Sequence, residues 1–309
     1  MYPVDVYVTL NLLVESSGDD TMIKPIRLIA SDLDGTLFYD LNKHSSVSNV
    51  ICDENLQAIR QWLQEGNHFV YATGRRTSSR QRLNNKYDLN CDVIACNGAK
   101  AIVDDQVLWD DQVEPELLVR LLKLLKPYRN ELDYVYDMDM KERITLNQHH
   151  LFEEMYPDEF YDRTSEIYLQ SPQEMYPNKV FILMENEKRT AFFLDLLNRE
   201  FSGELYITSS GPRFIECCPV HVSKSNALHS LIEHFSLEQD QVAAIGDELN
   251  DMDMLHSIPY GVIMNSARAE LKEQIPYSVD SVAELIHLCL DYNHGITRQL
   301  FPGKNESKK

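Results

Sequence analysis

The chain has 309 residues, long for one hydrophobic core and comfortable for two packed units. Twenty-nine Lys and Arg face 49 Asp and Glu, a formal charge of -20. That charge opposes nucleic-acid binding and obliges any anionic substrate to meet a local cation or a metal. No apolar run approaches the roughly 20 residues of a membrane helix, so no membrane partner is expected. Six cysteines, at 52, 91, 96, 217, 218 and 289, show no zinc-knuckle spacing and are expected to be reduced in a cytoplasmic protein. The stretch Val6–Val14 lacks a basic lead and is no secretory signal; residues 1–21 are expected to be a disordered leader.

In chain order, the apolar run Ile26–Ser31 stops at Asp-Leu-Asp-Gly-Thr and predicts a buried strand followed by a loop. Asp53 can cap a helix with Leu56, Ile59 and Leu63 on one face, and Gly66 suits its end. A second strand, His68–Ala72, ends at Thr73-Gly74-Arg75; after a polar helical stretch, a third around Val93–Cys96 ends at Asn97-Gly98. This alternation is that of a parallel α/β sheet. It resumes late, with a helix over 225–235, a strand Val242–Ile245 ending at Gly246-Asp247, a strand Tyr260–Met264 and a helix carrying Val282, Leu285, Ile286 and Cys289. Between the halves, 112–210 mixes Leu-rich helices (117–125, 190–200) with β-like pieces near 143–147, 179–184 and 204–208. The expected fold is therefore a Rossmann-like α/β parallel-sheet core, residues 22–111 and 211–309, with an inserted α+β cap domain at 112–210.

Four loops follow strand ends, the edge at which open parallel sheets bind ligands. Asp32 and Asp34, one residue apart, can share a divalent cation or divide nucleophile and acid roles, and Gly35 permits a sharp turn; alone, such a pair is commonly a solvated turn. Thr73 offers a hydroxyl to a phosphoryl oxygen or simply caps a helix. Lys224 at a helix start opposes the helix dipole unless an anion lies in front of it. Asp247, Glu248 and Asp251 with Asn250 form a hard-cation site or a capping cluster.

Their joint order resembles the haloacid dehalogenase superfamily of phosphatases, in the Cof-type branch with a large cap between the second and third motifs. The matching stretches are SDLDGTL (31–37), ATGR (72–75), CNGA (96–99), SSGPRFIE (209–216), VSKSNAL (222–228) and IGDELNDMDML (245–255). A departure stands at Met264-Asn265-Ser266-Ala267, where the family usually has Met-Gly-Asn-Ala. The resemblance implies Asp32 as nucleophile, forming an aspartyl-phosphate, and Asp34 as acid and base. It implies Thr73 and Lys224 as catalytic phosphate holders, with Gly74, Arg75, Asn97, Gly98 and Asn250 around the phosphate. Mg²⁺ would bind Asp32, Asp34 through its backbone carbonyl, Asp247 and Asp251. The implied partner is a small phosphorylated metabolite, a sugar phosphate above all, handled by a monomer or homodimer. A mutase and a non-catalytic phosphate-responsive regulator are the alternatives. Arg143, Lys179 and Arg213 are candidates for contacting substrate, with surface solvation as the ordinary expectation for each.

Overall fold

The computed structural model describes residues 24–47, 49–138, 142–145 and 176–301. The expected leader 1–21 lies outside them. Two separate sheets organise the chain, each with its own apolar core.

The larger sheet is built from β1 (Leu28–Ser31), β4 (His68–Ala72), β5 (Asp92–Ala95), β6 (Lys100–Val103), β7 (Gln106–Asp110), β13 (Val242–Gly246), β14 (Tyr260–Met264) and β15 (Tyr277–Val279). Its order is β15-β14-β13-β1-β4-β5-β6-β7, parallel as far as β5. The central strands are buried residue after residue because helices cover both faces, which removes the alternation of a half-exposed strand. After β1 the chain moves one way through β4 and β5, and it returns on β1's other side through β13 and β14. β1 is therefore the topological switch point, the place where the C-terminal strand ends open a crevice.

β6 and β7 were not expected. They form an antiparallel hairpin on β5, turning at Asp104 and Asp105, both at positive φ. Such a turn matches the right-handed strand twist, and two aspartates tolerate it better than most residues. β2 (Tyr39–Asp40) and β3 (Ser45–Ser46) make a small flap directly after the first loop.

Helix α1 (Asp53–Gln64) buries Leu56, Ala58, Ile59 and Trp62. Cys52, not Asp53, occupies its N-cap; Asp53 sits inside the first turn, where its charge favours the helix dipole. Helix α2 (Ser78–Tyr87) joins β4 to β5. Among the described residues no helix is long and apolar enough to cross a membrane.

The inserted unit carries α3 (Pro115–Leu125) and α4 (Thr190–Glu200) on a five-stranded antiparallel sheet. Its strands are β8 (Leu132–Met138), β9 (Glu142–Thr145), β10 (Lys179–Met184), β11 (Leu205–Gly211) and β12 (Phe214–Pro219), in the order β11-β12-β10-β8-β9. Leu118, Leu121 and Leu125 of α3 pack with Phe193 and Leu197 of α4 over Val180, Ile182 and Ile215. The chain stays in this sheet to Pro219, past the expected boundary at 210, because β11 and β12 are a hairpin closed by a Gly211–Phe214 pair. Most of the Tyr- and Glu-rich tract 149–178 lies outside the described residues. The chain then rejoins the large sheet through α5 (Lys224–His234), α6 (Met252–His256), α7 (Ala269–Lys272) and α8 (Val282–Asn293).

Candidate active site

Asp32 leaves β1 with its backbone N–H bonded to the carbonyl of Ile245 in β13, 2.9 Å away. Strand pairing therefore continues through the first motif residue and aims its carboxylate over the sheet edge. Asp32 is buried, and its Oδ1 accepts a 2.6 Å bond from the Lys224 ammonium. The same ammonium donates at 2.6 Å to Asp251 Oδ1. Lys224 is fully buried at the first position of α5, behind the Ser223 N-cap whose Oγ accepts from Asn226 N–H. The dipole conflict expected from sequence is thus met by two carboxylates.

Asp251 Oδ2 accepts from the backbone N–H groups of Asp247 and Glu248, both at 3.0 Å, which fixes the loop after β13. Asp247 Oδ1 accepts from Thr36 Oγ1 at 2.7 Å, tying that loop to the first. Gly35, at φ 81, is required here: a Cβ would lie 2.1 Å from Asp247 Oδ2.

Carboxylate oxygens of Asp32, Asp247 and Asp251 lie within 4.8 Å of one another. Burial pushes Asp32 up to about 7, with Lys224 opposing and Asp251 and Asp34 adding to the rise. Asp247 is also driven upward, by burial and then by Asp32 and Asp251. Burial would lower Lys224, but Asp251 and Asp32 outweigh it and hold the ammonium charged. Lys224 thus bonds two of three crowded carboxylates, and Asp247 meets only the Thr36 hydroxyl among the described bonds. An all-oxygen cluster with surplus negative charge suits a hard divalent cation.

The second loop carries Thr73, whose buried Oγ1 accepts from Arg75 N–H at 3.0 Å. Thr73 carbonyl accepts from Asn97 N–H, and Arg75 carbonyl from Cys96 N–H, so the loops after β4 and β5 are laced together. Cys96 and Asn97 both hold positive φ while buried. Gly98, at φ 110, leaves room for the Ser223 carbonyl, which a Cβ would approach to 2.4 Å. Asn250 Nδ2 donates to Asn97 Oδ1 at 3.2 Å.

Asp34 is placed apart from the carboxylate cluster. It is exposed, and Arg75 clamps it with Nε to Oδ2 and a terminal nitrogen to Oδ1, both at 2.5 Å. Arg75 also donates to Asn49 Oδ1 at 2.9 Å and stacks 5.0 Å over Phe38. In this arrangement the Arg75 guanidinium serves Asp34.

Two buried charged residues adjoin these loops: Lys179, a candidate substrate contact in the sequence, and Glu216, which the sequence did not single out. Lys179, expected to be solvated, is buried; its ammonium donates to the Gly74 carbonyl and, at 2.8 Å, to Glu216. Glu216 was seen only as part of a matching stretch, yet it is buried and also accepts from Asn97 Nδ2 and Ser210 Oγ. A lone carboxylate inside the apolar run Phe-Ile-Glu-Cys-Cys was the available signal. Arg213 donates Nε to the Met184 carbonyl within the cap, and Arg143 lies outside the described side chains. At the departure from the family pattern, Asn265 pairs with exposed Asp280 instead of joining the cluster.

A haloacid dehalogenase-like hydrolase family matches residues 29–285. Two Bacillus subtilis (strain 168) proteins, each named 5-amino-6-(5-phospho-D-ribitylamino)uracil phosphatase, are similar: YcsE is 27% identical over 84% of this chain and 92% of its own length. YwtE is 28% identical over 83% and 93%. A solved HAD subclass IIB sugar phosphatase shares the fold with a TM-score of 0.69, at 17% identity, over 88% of this chain and 100% of its own. With the family matched across both halves of the large sheet and the sheet interposed between them, the chain belongs to the haloacid dehalogenase-like hydrolases, as an enzyme of their Cof-type phosphatase branch.

Proposed function

We propose that this chain is a Mg²⁺-dependent phosphatase that hydrolyses a small phosphorylated metabolite, of the sugar or polyol phosphate class, through an aspartyl-phosphate on Asp32. The observation that carries the reading is the buried Asp32 carboxylate at the switch-point strand end, 2.6 Å from Lys224.

In the first step a carboxylate oxygen of Asp32 attacks phosphorus, and the bond from phosphorus to the leaving oxygen breaks as Asp34 delivers its proton. In the second, Asp34 takes a proton from water, which attacks the phosphorus of the acyl phosphate and frees Asp32 and inorganic phosphate. Thr73 and Lys224 hold the phosphoryl oxygens, and Lys224 offsets the charge that develops on them. Asp34 must part from Arg75 to protonate the leaving group, so opening of that clamp belongs to the cycle. Asp32, Asp247 and Asp251, with the Asp34 backbone carbonyl, would hold Mg²⁺, which supplies charge neutralisation for the phosphoryl group.

We place the cap at 112–219, where it would select substrate and exclude water. The ribityl phosphate in the names of both Bacillus relatives supports a phosphorylated polyol or sugar. Among the described residues none of the six cysteines forms a disulfide, in keeping with a reducing, cytoplasmic setting.

The test is Mg²⁺-dependent release of inorganic phosphate from a panel of phosphorylated metabolites by wild type and Asp32→Asn. Wild-type release concentrated on sugar or polyol phosphates, with the variant inactive, is expected. Wild-type activity surviving in Asp32→Asn would sink the mechanism, and phosphate retained on an isomeric product would identify a mutase.

A further inference from the structure

Glu216 sits in cap strand β12, yet it meets residues of the loops that follow β4 and β5. Its carboxylate accepts from Asn97 Nδ2, from Lys179 Nζ at 2.8 Å and from Ser210 Oγ at 2.5 Å. Lys179 in turn donates to the carbonyl of Gly74. Both charged side chains are buried, at 2% and 4% exposure. A buried ion pair is a poor way to gain stability, since an apolar pair of the same volume commonly serves as well or better. Its position beside two phosphate-facing loops suggests another use.

The chemistry of the acceptor supplies one. An ionised carboxylate can only accept hydrogen bonds, so the Asn97 amide must present its NH₂ to Glu216. Its carbonyl oxygen is then forced to the opposite side, where Asn250 Nδ2 meets it at 3.2 Å. Asn250 therefore meets Asn97 through its NH₂, which leaves its carbonyl oxygen as the acceptor end of the pair. Asn250 adjoins Asp251, which bonds Lys224, which bonds Asp32. The backbone at Cys96 and Asn97 is held at positive φ, so Asn97 cannot easily move to compensate.

We infer that Glu216 is a positioning residue: from the cap it fixes the polarity of the Asn97 and Asn250 amides at the reaction centre, with Lys179 as its counter-charge. The inference rests on the phosphatase reading above, in which those amides orient the phosphoryl group and the nucleophile.

The experiment compares steady-state kinetics and thermal unfolding of wild type, Asp32→Asn, Glu216→Gln and the pair Glu216→Gln with Lys179→Met. Gln keeps the shape of Glu but can offer either face to Asn97, so the amide orientation is no longer dictated. The single variant also takes the Glu216 carboxylate away from the Lys179 ammonium, and the double variant removes that ammonium. Both Glu216 variants should lose about 10²-fold in kcat, the scale of small misplacements at a reaction centre, with KM little changed. The double variant should regain much of the melting temperature lost by the single one without regaining kcat. A kcat that recovers with the melting temperature, or a single variant as fast as wild type, overturns the inference while an inactive Asp32→Asn leaves the phosphatase reading standing. An active Asp32→Asn protein overturns both.

Discussion

At the residue scale the site is a contest between burial and pairing. One fully buried ammonium, Lys224, faces Asp32 and Asp251, and Asp247 adds a third carboxylate within 4.8 Å. Lys224→Met leaves two buried carboxylates without their partner, and removing one member of such a pair costs about 3–5 kcal/mol. Urea unfolding should show that loss, and phosphate release should fall by roughly 10²–10³-fold, the scale for losing one stabilising donor. The pH dependence of stability follows from Asp32, raised to about 7 from an ordinary value of 3.8, and from Asp247, shifted the same way. A carboxylate raised in the folded state binds its proton more tightly folded than unfolded. Stability is therefore highest near and below 3.8 as far as this group is concerned, and it declines as pH rises toward about 7. In metal-free buffer the melting temperature should drop between pH 5 and pH 8. Mg²⁺ should raise it more at pH 8, and Asp247→Asn should flatten both effects. A melting temperature that climbs over that window would contradict the assignment of surplus charge to this cluster.

At the element scale, function depends on how closely loops approach one another. Gly98 lies under the Ser223 carbonyl, and Ser223 caps the helix that begins with Lys224. A methyl group at Gly98 would push on that cap and demand a left-handed conformation, so Gly98→Ala should cost about 1–3 kcal/mol. The measurable signature is loss of activity beyond what the loss of folded protein explains, because Lys224 shifts with its helix. Leu285, fully buried on α8, gives the opposite signature. Leu285→Ala should cost about 2–5 kcal/mol in unfolding experiments while the folded fraction keeps its kcat. These elements differ in how legible they were. β1, β4 and β13 announce themselves as apolar runs ending at Gly-containing loops, and β14 as an apolar run alone, since a strand covered on both faces cannot afford polar positions. β6, β7 and β12 did not, because each holds a charged residue, Lys100, Asp110 or Glu216, that bounds or interrupts its apolar run.

At the scale of the whole molecule, the formal charge of -20 acts on any anionic substrate before the site does. Exposed charges are screened over about 8 Å at 0.15 M salt, whereas the buried Lys224 pairings are hardly touched. With Mg²⁺ saturating, kcat/KM for a phosphate monoester should therefore rise as NaCl increases from low to physiological strength. A decline over that range would show that a local positive field reaches beyond the site and governs encounter.

Sequence alone determined the parallel α/β core, the presence of an inserted unit and the four loops that carry Asp32, Thr73, Lys224 and Asp247. Each of those features is local: an apolar period, a turn residue or a short motif. Tertiary structure decided which way the long polar side chains turn. It buried Lys179 and Glu216, clamped Asp34 with Arg75 and kept the chain in the cap sheet to Pro219. A charged side chain is solvated by default, and only a partner brought from a distant segment makes its burial tolerable. Ser210 apart, those partners stand 37 to 119 residues away, from Lys179–Glu216 to Asn97–Glu216, beyond the reach of any local pattern.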